Sequence, residues 1–356
     1  MSLKLQKVRE AMRAAGLDAL LVTSELNQRY LLSYESTSGL VVVTGEGAYM
    51  LTDFRYYEEA CAQADPAFTV AMPADRVGYV IEVLQGAGVR NVGFESDTLT
   101  VDAHELLCRQ YSAFTLVAAS KLVAALRMVK DESELAHIAR AQAITDRAFT
   151  HILSVLRPEM TEREVALELE FFMRQNGAER AAFDIIAVSG TASALPHGKP
   201  RDLPLQAGFL TMDFGAVYEG YCADMTRTVV IGRADAEMRA VYRTVLAAQQ
   251  AGLSILQAGI DGYTADKAAR DIIDASPYPG SFGHSLGHGV GLYIHESPRL
   301  AASARDVLLE PGHVVTVEPG IYLPGRYGCR IEDMVLITED GVKNFTQSSK
   351  ELIELF

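Results

Sequence analysis

Apolar and polar positions along this chain alternate with the two-residue period of strands and the 3.6-residue period of helices. Residues 3–15 read as a charged, amphipathic helix and Ala19–Thr23 as a buried strand. Gly39–Thr44 and Ala48–Thr52 form a strand pair about Gly45–Gly47, and Arg55–Gln63 is helical. Asn91–Glu95 is a further short strand, followed by a helix near Asp102–Tyr111. This alternation over about 120 residues predicts an α/β domain.

Beyond Lys121–Asp131 the pattern changes. The run RMVKDESELAHIARAQAITDRAFTHILSVL predicts one long helix with Asp131 or Ser133 near its start, and Glu164–Gln175 a second. Strands follow at Ile185–Ser189, Phe209–Asp213 and Asp224–Ile231, then helices at Met238–Leu256 and Thr264–Ala275. From His284 onward the chain reads as Gly-rich loops and strands. The fold class expected is α/β in the wider, α+β sense, with an N-terminal domain over residues 1–124 and a larger one over 125–356. No flexible linker, repeat or low-complexity segment is visible.

Composition narrows the partners. A length of 356 residues suffices for two domains and a buried core. With 49% apolar and 22% charged residues, disorder is not expected. The net charge of −14 disfavours nucleic acid or an anionic membrane as partner. Cys61, Cys108, Cys222 and Cys329 are widely spaced, which points to neither a disulfide framework nor a thiolate zinc site. The N-terminus does not read as a signal peptide, and no apolar run approaches the roughly 18 residues of a membrane span. A cytoplasmic protein is expected.

The informative chemistry is a pair of acid-bearing hairpins. In LTMDFGAVYEGYCADMTRTVVIG, Gly220 supplies turn chemistry between two arms of strand composition. A turn centred on Tyr218–Glu219 sets Asp213 opposite Asp224, with Cα atoms roughly 4.5–5.5 Å apart; Gly220 leaves room for a shift of a residue or two. In VVTVEPGIYLPGRYGCRIEDMVLIT, Glu318 and Glu332 are equidistant from Gly325. Like charges facing across strands repel, and unpaired carboxylates in apolar strands cost several kcal/mol (roughly). Holding cations resolves both; ordinary solvated acids are the bland alternative. Four carboxylates and one imidazole, His288, are mostly hard donors and suit Mn²⁺-like ions.

Residues 282–296, FGHSLGHGVGLYIHE, carry His284, His288 and His295 among glycines that exclude a regular helix and permit close backbone approach. His197 lies between Pro196 and Pro200 in a loop, where functional side chains concentrate. His104, His137, His151 and His313 read as structural or exposed. Arg330 shares a strand face with Glu332, and Thr226 with Asp224, so both could orient carboxylates. For Arg330 a plain ion pair competes. Cys222 and Cys329 read as small buried hydrophobes.

The motifs DFGAVYEGYCADMTRT, HSLGHGVG, HESP, VEPGIY and RIED resemble the metallopeptidases of the prolidase, aminopeptidase P and methionine aminopeptidase superfamily. The resemblance spans roughly residues 180–340; the N-terminal third resembles the creatinase-like accessory domain of prolidase and aminopeptidase P more loosely, through NQRYLLSYESTSG and TDFRYYEEA. It implies a "pita-bread" catalytic domain of two related halves around two divalent ions: Mn²⁺ first, with Co²⁺ or Zn²⁺ as alternatives. By position, Asp213 binds one ion, Asp224 and Glu332 bridge, and His288 and Glu318 complete the other site. His197, His284 and His295 match substrate-contacting and proton-handling histidines. Cys329 replaces the familiar valine before Arg330, a small apolar exchange.

The activity implied is hydrolysis of the Xaa-Pro bond in a small peptide with proline second, with Glu318 as proton shuttle and His295 or His197 at the oxyanion or substrate backbone. A dipeptidase is preferred to an aminopeptidase on longer peptides. Arg29, Arg55, Arg326 and Arg330 are the cations considered for capping the product carboxylate; Arg55 reads equally as structural. A homodimer is expected from similar proteins. A non-catalytic peptide-binding relative is disfavoured because all five ligands are present. A dinuclear phosphoesterase is disfavoured by the missing phosphate loop.

Overall fold

The computed structural model describes residues 2–35 and 38–356. Ser36 and Thr37 of the NQRYLLSYESTSG motif therefore lie outside the described residues, as does Met1. The chain divides into two compact units, Met1–Arg127 and Met128–Phe356.

The N-terminal unit contains α1 (Leu3–Ala14), β1 (Ala19–Val22), α2 (Glu25–Leu32), β2 (Leu40–Thr44), β3 (Ala48–Leu51) and α3 (Tyr57–Gln63). It continues with β4 (Thr69–Ala71), α4 (Arg76–Gly86), β5 (Asn91–Phe94), α5 (Val101–Gln110), β6 (Thr115–Ala118) and α6 (Leu122–Leu126). Its six strands form one mixed sheet in the order β4-β3-β2-β1-β5-β6. A core of Leu21, Val42, Val80, Leu84 and Val92 packs on it.

The second unit repeats one plan twice: a helix pair, then antiparallel strands. The first half has α7 (Glu132–Val155), α8 (Glu162–Gln175), β7 (Arg180–Ala181), β8 (Ile186–Ser189), β9 (Gly208–Phe214), β10 (Ala216–Tyr218), β11 (Tyr221–Cys222) and β12 (Met225–Ile231). The second has α9 (Ala236–Ile255), α10 (Gly262–Asp274), β13 (Gly287–Gly289), β14 (Glu296–Leu300), β15 (Val314–Val317), β16 (Gly320–Leu323), β17 (Tyr327–Arg330), β18 (Asp333–Thr338) and β19 (Gly341–Asn344). The chain ends with β20 (Glu354–Leu355), which joins the first half's sheet, β20-β12-β9-β8. The second half's sheet runs β14-β13-β15-β18-β19.

Local chemistry explains the helix starts. Asp131 caps α7 in a capping box with Glu134, and Thr161 caps α8 with Glu164. In each half the cap of the second helix also bridges to a later segment: Thr161 to Pro204, and Asp261 to Leu308. Each half has its own core. Ile144, Phe149, Leu169 and Met212 lie in the first, and Val245, Ala269, Leu286 and Val317 in the second. The mixed α/β architecture expected from the pattern is the one observed. Among the described residues, no helix is long and apolar enough to cross a membrane.

Candidate active site

The first acid hairpin is two residues out of the expected register. Glu219 and Gly220, at φ +48° and +79°, form the turn between β10 and β11. Two positive φ values in succession are the signature of a type I′ hairpin turn. Asp213 consequently faces Thr226, not Asp224. Because the slip is an even number of residues, both acids stay on one face. Carboxylate oxygens of Asp213, Asp224 and Glu332 lie within 4.8 Å of one another. The second hairpin matches its expected register: Val317 pairs Asp333 and Gly320 pairs Arg330, which sets Glu318 across from Glu332.

His288 enters from β13. A side chain at Gly287 would place its Cβ 2.0 Å from the Thr316 carbonyl oxygen, so only glycine lets β13 lie this close to β15. His288 Nδ1 faces the Gly289 carbonyl at 3.1 Å. A carbonyl only accepts, so Nδ1 carries the proton and Nε2 presents a bare lone pair. That lone pair stands 3.4 Å from Glu318 Oε1 and 3.6 Å from Asp224 Oδ2.

Electrostatics follow from crowding. Burial, then Asp213 and Glu318, raise the Asp224 pKa well above the usual carboxylate range. Burial, then Asp224, does the same to Glu332. Burial pushes Glu318 up to about 8 and His288 down to about 3. Buried Asp213 Oδ1 and Glu332 Oε1 have no hydrogen-bond partner among the described residues. Orphaned anionic oxygens beside an imidazole lone pair are the donor set of a hard divalent cation, and the residues fit one or two such ions.

Around the acids runs a hydrogen-bonded frame. Arg330 donates to Asp213 Oδ2 at 2.6 Å, to Thr226 Oγ1 at 3.0 Å, to the Tyr322 hydroxyl at 2.8 Å and to the Pro196 carbonyl at 3.2 Å. Thr226 in turn donates to Glu332 Oε2 at 2.7 Å. Both readings of Arg330 therefore hold together, since its ion pair is what orients Asp213. His284 donates from Nδ1 to the Ser285 carbonyl, and its Nε2 meets the Tyr322 hydroxyl at 2.9 Å.

A cavity of about 560 Å³ opens over this cluster. His197, His284 and His295 line it with the four acids and the His288 imidazole, and the His295 and His288 rings meet edge to face at 4.5 Å. The carboxylate-capping candidates fare differently. Arg330 lines the cavity but is buried and already engaged by four acceptors. Arg326 pairs with Glu237 outside the lining. Arg29 pairs with Glu35 and Arg55 with Asp53 inside the N-terminal unit. Two other cations, Lys199 and Arg299, do line the cavity, and neither has a hydrogen-bond or ion-pair partner among the described residues. Sequence pattern gives them no prominence; the usable signal was proximity, two residues after His197 and four after His295. Cys222 and Cys329 are buried, as expected of small apolar side chains.

The sequence pattern of metallopeptidase family M24 matches residues 136–339, and that of the Creatinase/Prolidase N-terminal domain matches residues 4–129. A structure described as Xaa-Pro dipeptidase from Bacillus anthracis superposes with TM-score 0.95 at 43% identity, covering 99% of both chains. An X-Pro aminopeptidase from Thermotoga maritima superposes with TM-score 0.91 at 34% identity, covering 97% of this chain and all of that one. The Xaa-Pro dipeptidase of Pyrococcus horikoshii is 35% identical over 99% of both chains.

Proposed function

This chain belongs to metallopeptidase family M24, and from that premise we propose that it is a two-metal exopeptidase hydrolysing Xaa-Pro dipeptides. One observation carries the metal part. Four acids and a neutral imidazole converge with Asp213 Oδ1 and Glu332 Oε1 left unpartnered. We assign Asp213, Asp224, His288, Glu318 and Glu332 as the side chains that would hold the ions. The oxygen-rich set supports Mn²⁺, with Co²⁺ or Zn²⁺ as substitutes.

Two divalent ions held there would acidify a shared water at neutral pH and polarise the scissile carbonyl. Glu318 takes a proton from the attacking water and passes it to the leaving proline nitrogen. His295 or His197 donates to the developing oxyanion or the substrate backbone. Arg330 holds Asp213 in place, and His284 is fixed through Tyr322. Lys199 and Arg299 support the dipeptide reading, because an unpaired cation beside the reacting centre suits the carboxylate that follows proline. The relatives named Xaa-Pro dipeptidase favour the same choice, and the Thermotoga relative keeps an aminopeptidase as second reading. A cytoplasmic location and a homodimer complete the proposal.

The test is hydrolysis of Ala-Pro against Ala-Pro-Gly by freshly purified protein of known metal content, before and after chelation and readdition. Activity on Ala-Pro that survives complete chelation overturns the metal mechanism. Preference for the tripeptide moves the assignment to aminopeptidase.

A further inference from the structure

Pro196, His197, Gly198, Lys199 and Pro200 form one wall of the cavity, and they belong to a loop whose two ends meet at a single carboxylate. Glu162, in the first turn of α8, has a fully buried side chain. Its Oε1 accepts from the Ser189 N–H at 2.7 Å, the Ser189 hydroxyl at 2.8 Å and Arg201 Nη2 at 2.5 Å. Its Oε2 accepts from the Arg201 N–H at 3.0 Å and Nε at 2.7 Å. Ser189 is the last residue of β8, and Arg201 directly follows Pro200. Arg201 also donates to the Ser189 carbonyl at 3.2 Å, which ties the two ends to each other.

Between those ends the loop is buried at Ala192–Ala194 and at Gly198, while its hydrogen bonds to the rest of the unit are few. It makes a 3₁₀ turn at Gly190–Ala194, the Ser193 hydroxyl accepts from the Gly328 N–H at 3.0 Å, and the Pro196 carbonyl accepts from Arg330. The side chains that face the cavity, His197 and Lys199, have no hydrogen-bond or ion-pair partner among the described residues. Their position is therefore set by the backbone that carries them, and that backbone is closed by Glu162. Burying this carboxylate is costly, and five charge-assisted bonds offset the cost.

We propose that Glu162, with Arg201, is a positioning residue for the peptidase reaction: it clasps the loop of residues 189–201 and acts on turnover through His197. The inference rests on the Xaa-Pro reading of the cavity. A purely scaffolding role would alter melting and leave the kinetics of the folded enzyme alone.

The test uses the full-length, metal-loaded enzyme on Ala-Pro, with Glu162→Gln, Arg201→Gln, His197→Ala and both double variants. Circular dichroism and Mn²⁺ content are checked for each. The clasp predicts that Glu162→Gln and Arg201→Gln each lower kcat/KM about 10- to 100-fold with Mn²⁺ content unchanged. It predicts little added loss when either is combined with His197→Ala. Losses that multiply with His197→Ala, or kinetics unchanged beside a lowered melting temperature, overturn it. If Glu162→Gln does not fold, Arg201→Gln decides by the same two criteria, since that side chain is one-third exposed and Glu162 keeps the Ser189 N–H, the Ser189 hydroxyl and the residue 201 N–H as donors. A wild type without Ala-Pro hydrolysis overturns the functional reading and the clasp together; an active wild type with multiplying losses overturns the clasp alone.

Discussion

Glu332 and Asp333 are neighbours in sequence and opposites in circumstance. Asp333, fully buried, accepts from Arg227 at 2.8 Å, Lys350 at 2.6 Å, Gln249 at 3.0 Å and Asn344 at 2.9 Å. Burial alone would push its pKa up, but Arg227 and Lys350 outweigh it and hold the carboxyl below the usual range. Glu332, just as buried, receives one Thr226 hydroxyl, keeps an unpartnered Oε1, and stands beside Asp224. Thr226 and Arg227 repeat the switch on β12, one reaching each face. This fold can balance a buried carboxylate with its own cations, and on one side of these strands it does so. On the other side the balance is left to something that binds.

The strongest way to sharpen that contrast is Glu318→Gln, which spares the balanced face entirely. It is expected to lower kcat on Ala-Pro by about 10⁴ while the protein stays folded and retains metal. A variant within tenfold of wild type would remove Glu318 from the proton path. Next comes Asp333→Asn, which strands a buried Arg227 and is expected to cost about 3–5 kcal/mol in urea unfolding. The matching Asp224→Asn change, measured under chelator, is expected to be neutral or stabilising because it relieves repulsion. Equal costs at the two positions would erase the distinction between the faces.

Smaller is the linkage to metal. Mn²⁺ at about 100 times its dissociation constant should add about 2.7 kcal/mol to unfolding. Asp224→Asn should weaken that gain, and it should fade as pH falls because the ligands must lose protons. Smallest is the acid behaviour of Glu162, a third balanced carboxylate. Burial raises its pKa, yet Arg201 and Ser189 bring it below the usual value. A depressed folded pKa gives stability that is complete above the unfolded value, about 4.3, and is lost as pH falls through the folded one. The wild type should therefore exceed Glu162→Gln by about 1–2 kcal/mol near neutrality, and the gap should close in acid. A gap that widens in acid denaturation would reverse the sign.

The same two hairpins show what a sequence discloses. Around Pro324-Gly325-Arg326 the turn chemistry and both arms agree, so Glu318 and Glu332 could be set opposite each other before any coordinates. Around Glu219 the turn needs a positive φ from a residue that seldom adopts it, so the hairpin closes two residues away from the register its composition suggests. In the N-terminal unit, α2 is eight residues long and buries Asn27 and Gln28 among its apolar neighbours, so it has no clean stripe. Helix α4 mixes Gly78 with Val77, Val80, Ile81 and Val83, a composition nearer to a strand. Edge strand β4 is three residues long, too short for a period to register, and edge strand β6 buries none of its four residues. Lys199 and Arg299 look like any surface cation until β13 pairs with β14 and sets Arg299 opposite His288.

The alternation at Glu332 and Asp333 also constrains how this chain can change length. Only Ile331 separates β17 from Glu332, and Asp333 opens β18. Inserting or deleting one residue in this link would rotate each side chain onto the opposite face. The carboxylate meant for Arg227 would then crowd its acidic neighbours, and a cation would be left with nothing to hold. A one-codon indel here should therefore be far harder to accommodate than most substitutions, making the spacing itself as much a part of the catalytic apparatus as the residues it separates.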